Sequence, residues 1–170
     1  MWGRPPCDAG RMANFLEQLV VEFYEYQGYF VRQNVMVGKR AKGGYEGELD
    51  VVAFHPVKKH LVHIEPSMDA HNWEKREERF TKKFAAGRRY IPELFTGLDI
   101  PKDVEQIALF GFGGRGGRST IGGGNVELVS EFMKRVAAAL PQASIARAAV
   151  PEGFPLLRTM QFTLQHVVER

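Results

Sequence analysis

The sequence predicts an α/β domain in which a mixed β-sheet is flanked by helices. Hydrophobic residues recur first at helical spacing, then with strand-like patterns in three successive segments, and then again in one helix and one strand. The composition, with 44% hydrophobic and 25% charged residues in 170, is that of a globular protein. We therefore expect residues 1–170 to form one domain, with a core over about 12–112 and a helical extension over about 113–170.

Periodicity and turn residues define the elements of the core. Gly28 and Gly87 follow helical patterns and are expected to end them, while Asp69 or Asn72 could cap the start of the second helix. A glycine-rich connection separates the first two strands. The expected elements are a helix over 12–27, strands over 29–37, 48–55 and 61–65, a helix over about 73–86 and a strand over 104–112.

The last third of the chain is less regular. The segment GFGGRGGRSTIGGG predicts a long flexible loop because glycine is so frequent in it. Beyond it we expect a helix over 126–140, a short strand over 144–150, and a helix that begins at Pro155.

Charge and cysteine content narrow the class of protein. Lys and Arg exceed Asp and Glu by 23 to 20, and the basic residues cluster over 32–42 and 75–89. The single cysteine, Cys7, provides neither a disulfide nor a zinc-binding pair. No apolar stretch approaches the length of a membrane span, and the first residues do not form a secretory signal. These features predict a cytoplasmic protein with no membrane partner.

Two acidic residues stand on strand-like segments of GELDVVAFHPVKKHLVHIEPS. If the two strands form a short hairpin, Asp50 and Glu65 can converge at its open end. Two carboxylates held together repel each other and resist desolvation, and a hard divalent cation such as Mg²⁺ relieves both effects. The alternative is that both acids lie at a solvated rim of the sheet.

The order of these motifs resembles the PD-(D/E)XK nuclease superfamily over residues 12–112. The similarity comprises the first helix, the Gly-Tyr strand, the Gly-Glu-Leu-Asp strand and Leu-Val-His-Ile-Glu, and it is nearest to Mrr-like and Holliday-junction-resolvase-like nucleases. The resemblance implies a restriction-endonuclease-like fold with core order αβββαβ and a Mg²⁺ (or Mn²⁺) site formed by Glu17, Asp50 and Glu65. Helical geometry alone admits Glu22 as well as Glu17. We expect Glu22 and Glu25 to be solvated.

The sequence departs from that family at the position of the motif lysine. The superfamily has x-Lys after the second acid, whereas this chain has Pro66 and Ser67. Pro66 is expected to end the strand or to leave it unpaired, and the Ser67 hydroxyl to position a water. Lys83, on the flank of the buried stripe of the following helix, is the predicted replacement for the lysine. Its aliphatic stem could instead simply cover the edge of the core.

Basic and aromatic residues predict contacts with nucleic acid. Most lie on the first hairpin or in the glycine-rich loop, where a solvated turn or a mobile surface loop is the alternative. The candidates are Lys39, Arg40, Lys42, Tyr45, Arg76, Arg115 and Arg118. His63 shares the strand face of Glu65, either as a functional group or as a structural histidine.

Three hypotheses follow. The first is a Mg²⁺-dependent DNA endonuclease with Asp50, Glu65, Ser67 and Lys83 in catalytic roles, DNA as partner and a homodimer as a possible assembly. The second is a nuclease-like nucleic-acid-binding or assembly module without activity. The third is a small-molecule or nucleotide enzyme that uses the glycine-rich loop. Residues 111–116 of this loop have the pattern G-x-G-x-x-G, although the next predicted helix begins too far away to bind a pyrophosphate.

Overall fold

The computed structural model describes residues 15–167 and shows an α/β fold, as predicted. Helices lie on both faces of a mixed sheet of six strands, and the first six elements follow the predicted order of helix, three strands, helix and strand. The elements are α1 (Phe15–Tyr26), β1 (Phe30–Lys39), β2 (Tyr45–His55), β3 (His60–Ser67), α2 (Trp73–Leu94), β4 (Glu105–Phe110), β5 (Thr120–Ile121), β6 (Gly124–Leu128), α3 (Val129–Ala139), α4 (Ile145–Ala148) and α5 (Pro155–His166).

The strands are arranged in the order β1-β2-β3-β4-β6-β5. The first three form an antiparallel meander, whereas β4 is parallel to β3 and is reached through the crossover helix α2. Strand β6 is parallel to β4, and the short β5 is antiparallel to β6. Parallel pairing in the middle of the sheet requires both faces to be covered, which the helices do.

Two layers of helices bury the two faces of the sheet. One apolar cluster joins α1, α3 and α5 to the β2 and β3 side chains Val51, Ala53, Val62 and Ile64. The alternate side chains Val52, Phe54 and Leu61 contact α2 on the opposite face. This alternation directs Asp50 and Glu65 toward α2.

Helix α2 passes through Gly87, which was wrongly predicted to end it, and continues to Leu94. The helix begins after Asn72, whose side-chain oxygen accepts the Lys75 amide, so Asn72 and not Asp69 is the cap. A Cβ atom at Gly87 would overlap with the imidazole of His63. Glycine is therefore required here by a tertiary contact and not by a turn.

We expected strand β3 to end at Pro66 or to be unpaired there. It continues to Ser67 and stays paired with β4, whereas its ladder with β2 stops at Ile64. The carbonyl of Ser67 accepts from Gly111 on the β4 side. Since the backbone groups of successive strand residues point to opposite edges, the missing N–H of Pro66 faces the β2 side. Strand β2 has diverged by this point, so the proline removes no ladder hydrogen bond.

The C-terminal third differs most from prediction. The glycine-rich segment ends in a hairpin of β5 and β6, of which β6 extends beyond the segment. This hairpin adds two strands to the sheet, so the extension is not purely helical. Helix α3 consequently begins at Val129, and a short helix, α4, replaces the strand expected over 144–150. Helix α5 begins at Pro155 as predicted. Among residues 15–167, no helix combines the length and apolar character needed to cross a membrane.

Candidate active site

The candidate site lies at a fork between β2 and β3. The ladder between these strands extends from His55 and His60 to Val51 and Ile64, and Asp50 and Glu65 lie directly beyond its last pair. With no strand partner on this side, the backbone N–H of Asp50 donates to Glu65 Oε1 at 3.1 Å. The predicted convergence of the two acids at the open end of the hairpin is confirmed.

Lys83 of α2 reaches both carboxylates. Its ammonium nitrogen lies 2.7 Å from Asp50 Oδ1 and also donates to Glu65 Oε2. The neighbouring Lys82 points to solvent, where its side chain is 74% exposed and pairs with Glu78. Helical geometry therefore identified which of the two lysines faces the acids, and the predicted location of Lys83 is confirmed.

Burial makes this group of charges strained. Desolvation, together with the charge of Glu65, raises the pKa of Asp50 to about 7, and Lys83 only partly offsets the rise. Burial would lower the pKa of Lys83, but Glu65 and Asp50 outweigh it and raise that pKa above its ordinary value. When both carboxylates are ionised, one ammonium leaves a net negative charge. The site therefore favours the binding of a further cation.

A buried histidine supports Glu65 from behind. His63 is completely buried, and its Nε2 lies 2.7 Å from Glu65 Oε1. Its Nδ1 lies 3.2 Å from the side-chain nitrogen of Gln106 on β4. Burial lowers the pKa of His63 to about 3, so the ring is neutral at physiological pH.

Ser67 is engaged in a second cluster and does not face open water. Its hydroxyl donates to Asp69 Oδ2 and accepts from Arg79 Nη2 at 2.7 Å, and the residue is only 4% exposed. This arrangement differs from the predicted water-positioning serine, because partners already occupy the hydroxyl. Burial would raise the pKa of Asp69, but hydrogen bonds from Ser67, the His71 amide and Arg79 lower it well below its usual range.

Arg76 lies inside the protein and not on the surface predicted to contact nucleic acid. Its guanidinium donates to Asp69 Oδ1 at 3.2 Å, to the Asp69 carbonyl at 2.6 Å and to the Phe112 carbonyl at 3.2 Å. It also lies 4.3 Å from the ring centre of Phe110. These contacts connect α2 to the segments that follow β3 and β4. Because the side chain is only 5% exposed, it is not placed to contact phosphate.

The other predicted nucleic-acid contacts fall into two groups. Lys39, Arg40, Lys42 and Tyr45 are exposed at the tip of the β1–β2 hairpin. In the glycine-rich loop, Arg118 is exposed with its guanidinium 4.8 Å from the Trp73 ring centre. Arg115 instead donates to Glu131 at 2.6 Å and to the Val126 carbonyl, so part of its side chain holds the loop in place.

The G-x-G-x-x-G pattern of residues 111–116 leads into β5 and not into a helix. A dinucleotide site needs a helix N-terminus directly behind these glycines. The described backbone does not provide that arrangement.

The first helix contributes one unexpected contact. Glu22, which we wrongly expected to be solvated, is 1% exposed and accepts the backbone N–H groups of Leu156 and Leu157 at 2.9 and 3.1 Å. It thereby caps the N-terminus of α5. Glu25 is exposed, as expected.

Glu17 is partly buried on α1, in the helical layer opposite Lys83. Within residues 15–167, no group of three or more His, Cys, Asp or Glu side chains is placed to hold a metal ion. The pair Asp50 and Glu65 does suit Mg²⁺, which proteins often bind through one or two carboxylates while waters and substrate phosphate complete the shell. Glu17 stays a prediction as a third ligand.

Asp69, Arg79 and Gln106 belong to the site but were not identified as functional from the sequence. A signal for Arg79 was present, because Arg76, Arg79 and Lys83 are spaced by three and four residues and so share one face of α2. The sequence holds no comparable signal for Gln106, whose role depends on the pairing of β4 with β3.

No family model, curated protein or solved structure matches this chain. The resemblance to the PD-(D/E)XK superfamily therefore stays a prediction from the sequence.

Proposed function

We propose that this chain is a divalent-metal-dependent nuclease that hydrolyses phosphodiester bonds in DNA. The observation that carries the proposal is the meeting of Asp50, Glu65 and the Lys83 ammonium at the fork of two strands. Two carboxylates and a cation in one partly buried site are groups that metal-dependent phosphodiester hydrolysis uses. Their fit to that chemistry is independent of the resemblance in sequence.

Asp50 and Glu65 would hold Mg²⁺ or Mn²⁺ through their oxygens, with Glu17 as a predicted further ligand. When bound, such an ion would neutralise charge on the phosphoryl oxygens and lower the pKa of a coordinated water. The raised pKa of Asp50, about 7, supports this assignment because it reflects an acidic pair that lacks sufficient positive charge.

Lys83 takes the role of the strand lysine of the superfamily. Its ammonium contacts both acids, so it can orient a phosphate oxygen beside them and stabilise the charge that develops there. Ser67 and Asp69 act indirectly, by holding Arg79 next to the site.

The basic hairpin tip is well placed for DNA. The N-terminal end of β2 and the C-terminal end of β3 lie at the same edge of the sheet because the strands are antiparallel. Tyr45 is five residues from Asp50 along β2, which corresponds to about 17 Å. That distance spans about five base steps of a duplex, so Arg40 and its neighbours would contact phosphates several steps from the cleaved bond.

The test is cleavage of plasmid and branched DNA with Mg²⁺ or Mn²⁺. Asp50→Ala and Glu65→Ala should abolish cleavage, and Lys83→Met should reduce it about 100-fold or more. Lys82→Met is the matched control, since it removes an exposed lysine of the same helix and should leave the rate unchanged. Cleavage that survives both acid substitutions would refute the proposal.

One observation favours the second candidate, a nucleic-acid-binding module without activity. Glu65 already accepts hydrogen bonds from the Asp50 amide, His63 and Lys83, so the group could serve as a structural ion-pair network. This candidate predicts DNA binding that weakens steeply with salt, no cleavage with either metal, and little loss of binding in Lys83→Met.

A further inference from the structure

A chain of hydrogen bonds leads from the protein surface to the Glu65 carboxylate. The exposed Arg88 donates to Gln106 Oε1 at 2.5 Å, and the Gln106 side-chain nitrogen lies 3.2 Å from His63 Nδ1. His63 Nε2 in turn lies 2.7 Å from Glu65 Oε1. Three of the four side chains are buried, and α2, β3 and β4 each contribute to the chain.

The direction of every bond in this chain is determined by chemistry. Gln106 is oriented at both ends, because its Oε1 faces the donor Arg88 and its Nε2 donates to the Phe84 carbonyl at 2.9 Å. The same amide nitrogen faces His63 Nδ1, which must therefore accept. Because Nδ1 carries no proton, the single N–H group of the ring is at Nε2, and it donates to Glu65 Oε1.

Packing holds the imidazole in this orientation. The ring of Phe84 meets it edge to face, with ring centres 5.5 Å apart. On the helix side, Gly87 leaves just enough space for the ring, since any side chain there would collide with it. His63 thus has neither the space nor the alternative partners to rotate.

We propose that His63 and Gln106 are positioning residues that determine which oxygen of Glu65 binds cations. The His63 N–H and the Asp50 amide together occupy Oε1, while Oε2 faces Lys83. Glu65 consequently offers a single oxygen, Oε2, to the Lys83 ammonium or to a divalent ion. The part of this inference that concerns divalent ions rests on the proposed nuclease function; the orientation of the carboxylate does not.

The Asp50 amide gives a direct readout of that orientation. It lies beyond the last β2–β3 pair, and its acceptor is Glu65 Oε1. If His63 holds the carboxylate, its removal should let the carboxylate turn and expose the Asp50 N–H to solvent exchange. Hydrogen exchange at this one amide therefore measures the positioning effect without any substrate.

The experiment compares His63→Leu, His63→Gln and His60→Leu with the native chain. Leucine removes the donor and keeps an apolar side chain in the core, whereas the glutamine amide can still donate to Glu65. His60 is a matched control, because it also lies on β3 and its Nε2 is 2.8 Å from a carboxylate, that of Glu105, at the far end of the strand. Exchange is measured by NMR, and imidazole ¹⁵N spectra of the native chain identify the tautomer of His63.

We expect exchange at Asp50 to accelerate about tenfold in His63→Leu and to stay near the native rate in His63→Gln and His60→Leu. Cleavage by His63→Leu should fall about 10- to 100-fold through kcat, with KM little changed, and His63→Gln should recover most of the loss. Unchanged exchange in His63→Leu would overturn the inference. If that variant does not fold, an Nδ1–H tautomer in the native chain would overturn it equally.

The two proposals fail separately. Faster exchange in His63→Leu together with no cleavage by the native chain would retain the positioning role and reject the nuclease. Cleavage by the native chain together with unchanged exchange in His63→Leu would retain the nuclease and reject the positioning role.

Discussion

Asp50→Asn should stabilise the protein above neutral pH when no divalent metal is present. The Asp50 side chain is 15% exposed, and burial beside Glu65 raises its pKa from 3.8 to about 7. Ionisation of Asp50 therefore costs free energy in the folded state and none in the unfolded state. Asparagine carries no charge, and its oxygen can still accept the Lys83 ammonium, which lies 2.7 Å from Asp50 Oδ1.

The magnitude follows from the difference between the two pKa values of Asp50. The interval from 3.8 to about 7 corresponds to about 4 kcal/mol, at about 1.4 kcal/mol for each pH unit. Because the folded pKa lies above the unfolded one, this stability is fully present below about pH 4, declines as the pH rises toward 7, and is lost above it. Asp50→Asn should lack the decline and so exceed the native chain by up to about 4 kcal/mol at pH 8.

Urea unfolding of the native chain and of Asp50→Asn at pH 5 and pH 8, with a chelator present, measures this difference in the free energy of unfolding. Asp99→Asn is the matched control, since Asp99 also pairs with a lysine, at 2.6 Å, but is 90% exposed. It should follow the native pH dependence within about 0.5 kcal/mol. Added Mg²⁺ should stabilise the native chain at pH 8 much more than Asp50→Asn. An equal loss of stability between pH 5 and 8 in the native chain and Asp50→Asn would show that Asp50 is not the strained acid.

Two further substitutions test the supports of the site. Gly87→Ala should lower the free energy of unfolding by about 1–3 kcal/mol, because the new methyl group collides with His63, whereas Gly114→Ala, with open space around it, should change little. A Gly87→Ala protein as stable as the native chain would contradict this close approach. Asp69→Asn leaves the buried Arg76 without its counter-charge and should lower the free energy of unfolding, measured with urea, by about 3 kcal/mol. A loss below about 0.5 kcal/mol would mean that Arg76 finds another partner.

Local patterns were sufficient to predict the elements of the core and the position of Lys83. The alternation of β2 and β3 placed Asp50 and Glu65 on one face, and the rotation of a helix by 100° per residue separated Lys83 from Lys82. Both inferences depend only on the repeat of one element. They hold because each element is regular near the site.

The features that were missed depend on contacts between elements. Gly87 has the local signature of a helix end, yet it lies inside α2. The residue is glycine because His63 of β3 comes too close for any side chain at this position. Ser67 was expected to hold water, but its hydroxyl is occupied by Asp69 and Arg79, which meet it only after α2 packs on the sheet. The β5–β6 hairpin was hidden by glycines that are also typical of loops.

The packing of α2 on β3 explains how a lysine on a helix can replace one on a strand. The two elements run antiparallel, with Arg79 beside Ser67, Lys83 beside Glu65 and Gly87 beside His63. Helix residues four apart rise about 6 Å, and strand residues two apart rise about 6.6 Å, so these contacts stay in step over two helical turns. Each position on the strand face thus has one helical partner.

This register also explains the chemistry of each pair. A cation on α2 can reach the strand face at either Glu65 or Ser67, and here both places are filled, by Lys83 and Arg79. A lysine at position 67 would meet the Arg79 guanidinium at close range, and two like charges in a site only 4% exposed would repel strongly. Serine at 67 and lysine at 83 are therefore two parts of one arrangement, in which the helix carries the positive charge and the strand leaves room for it.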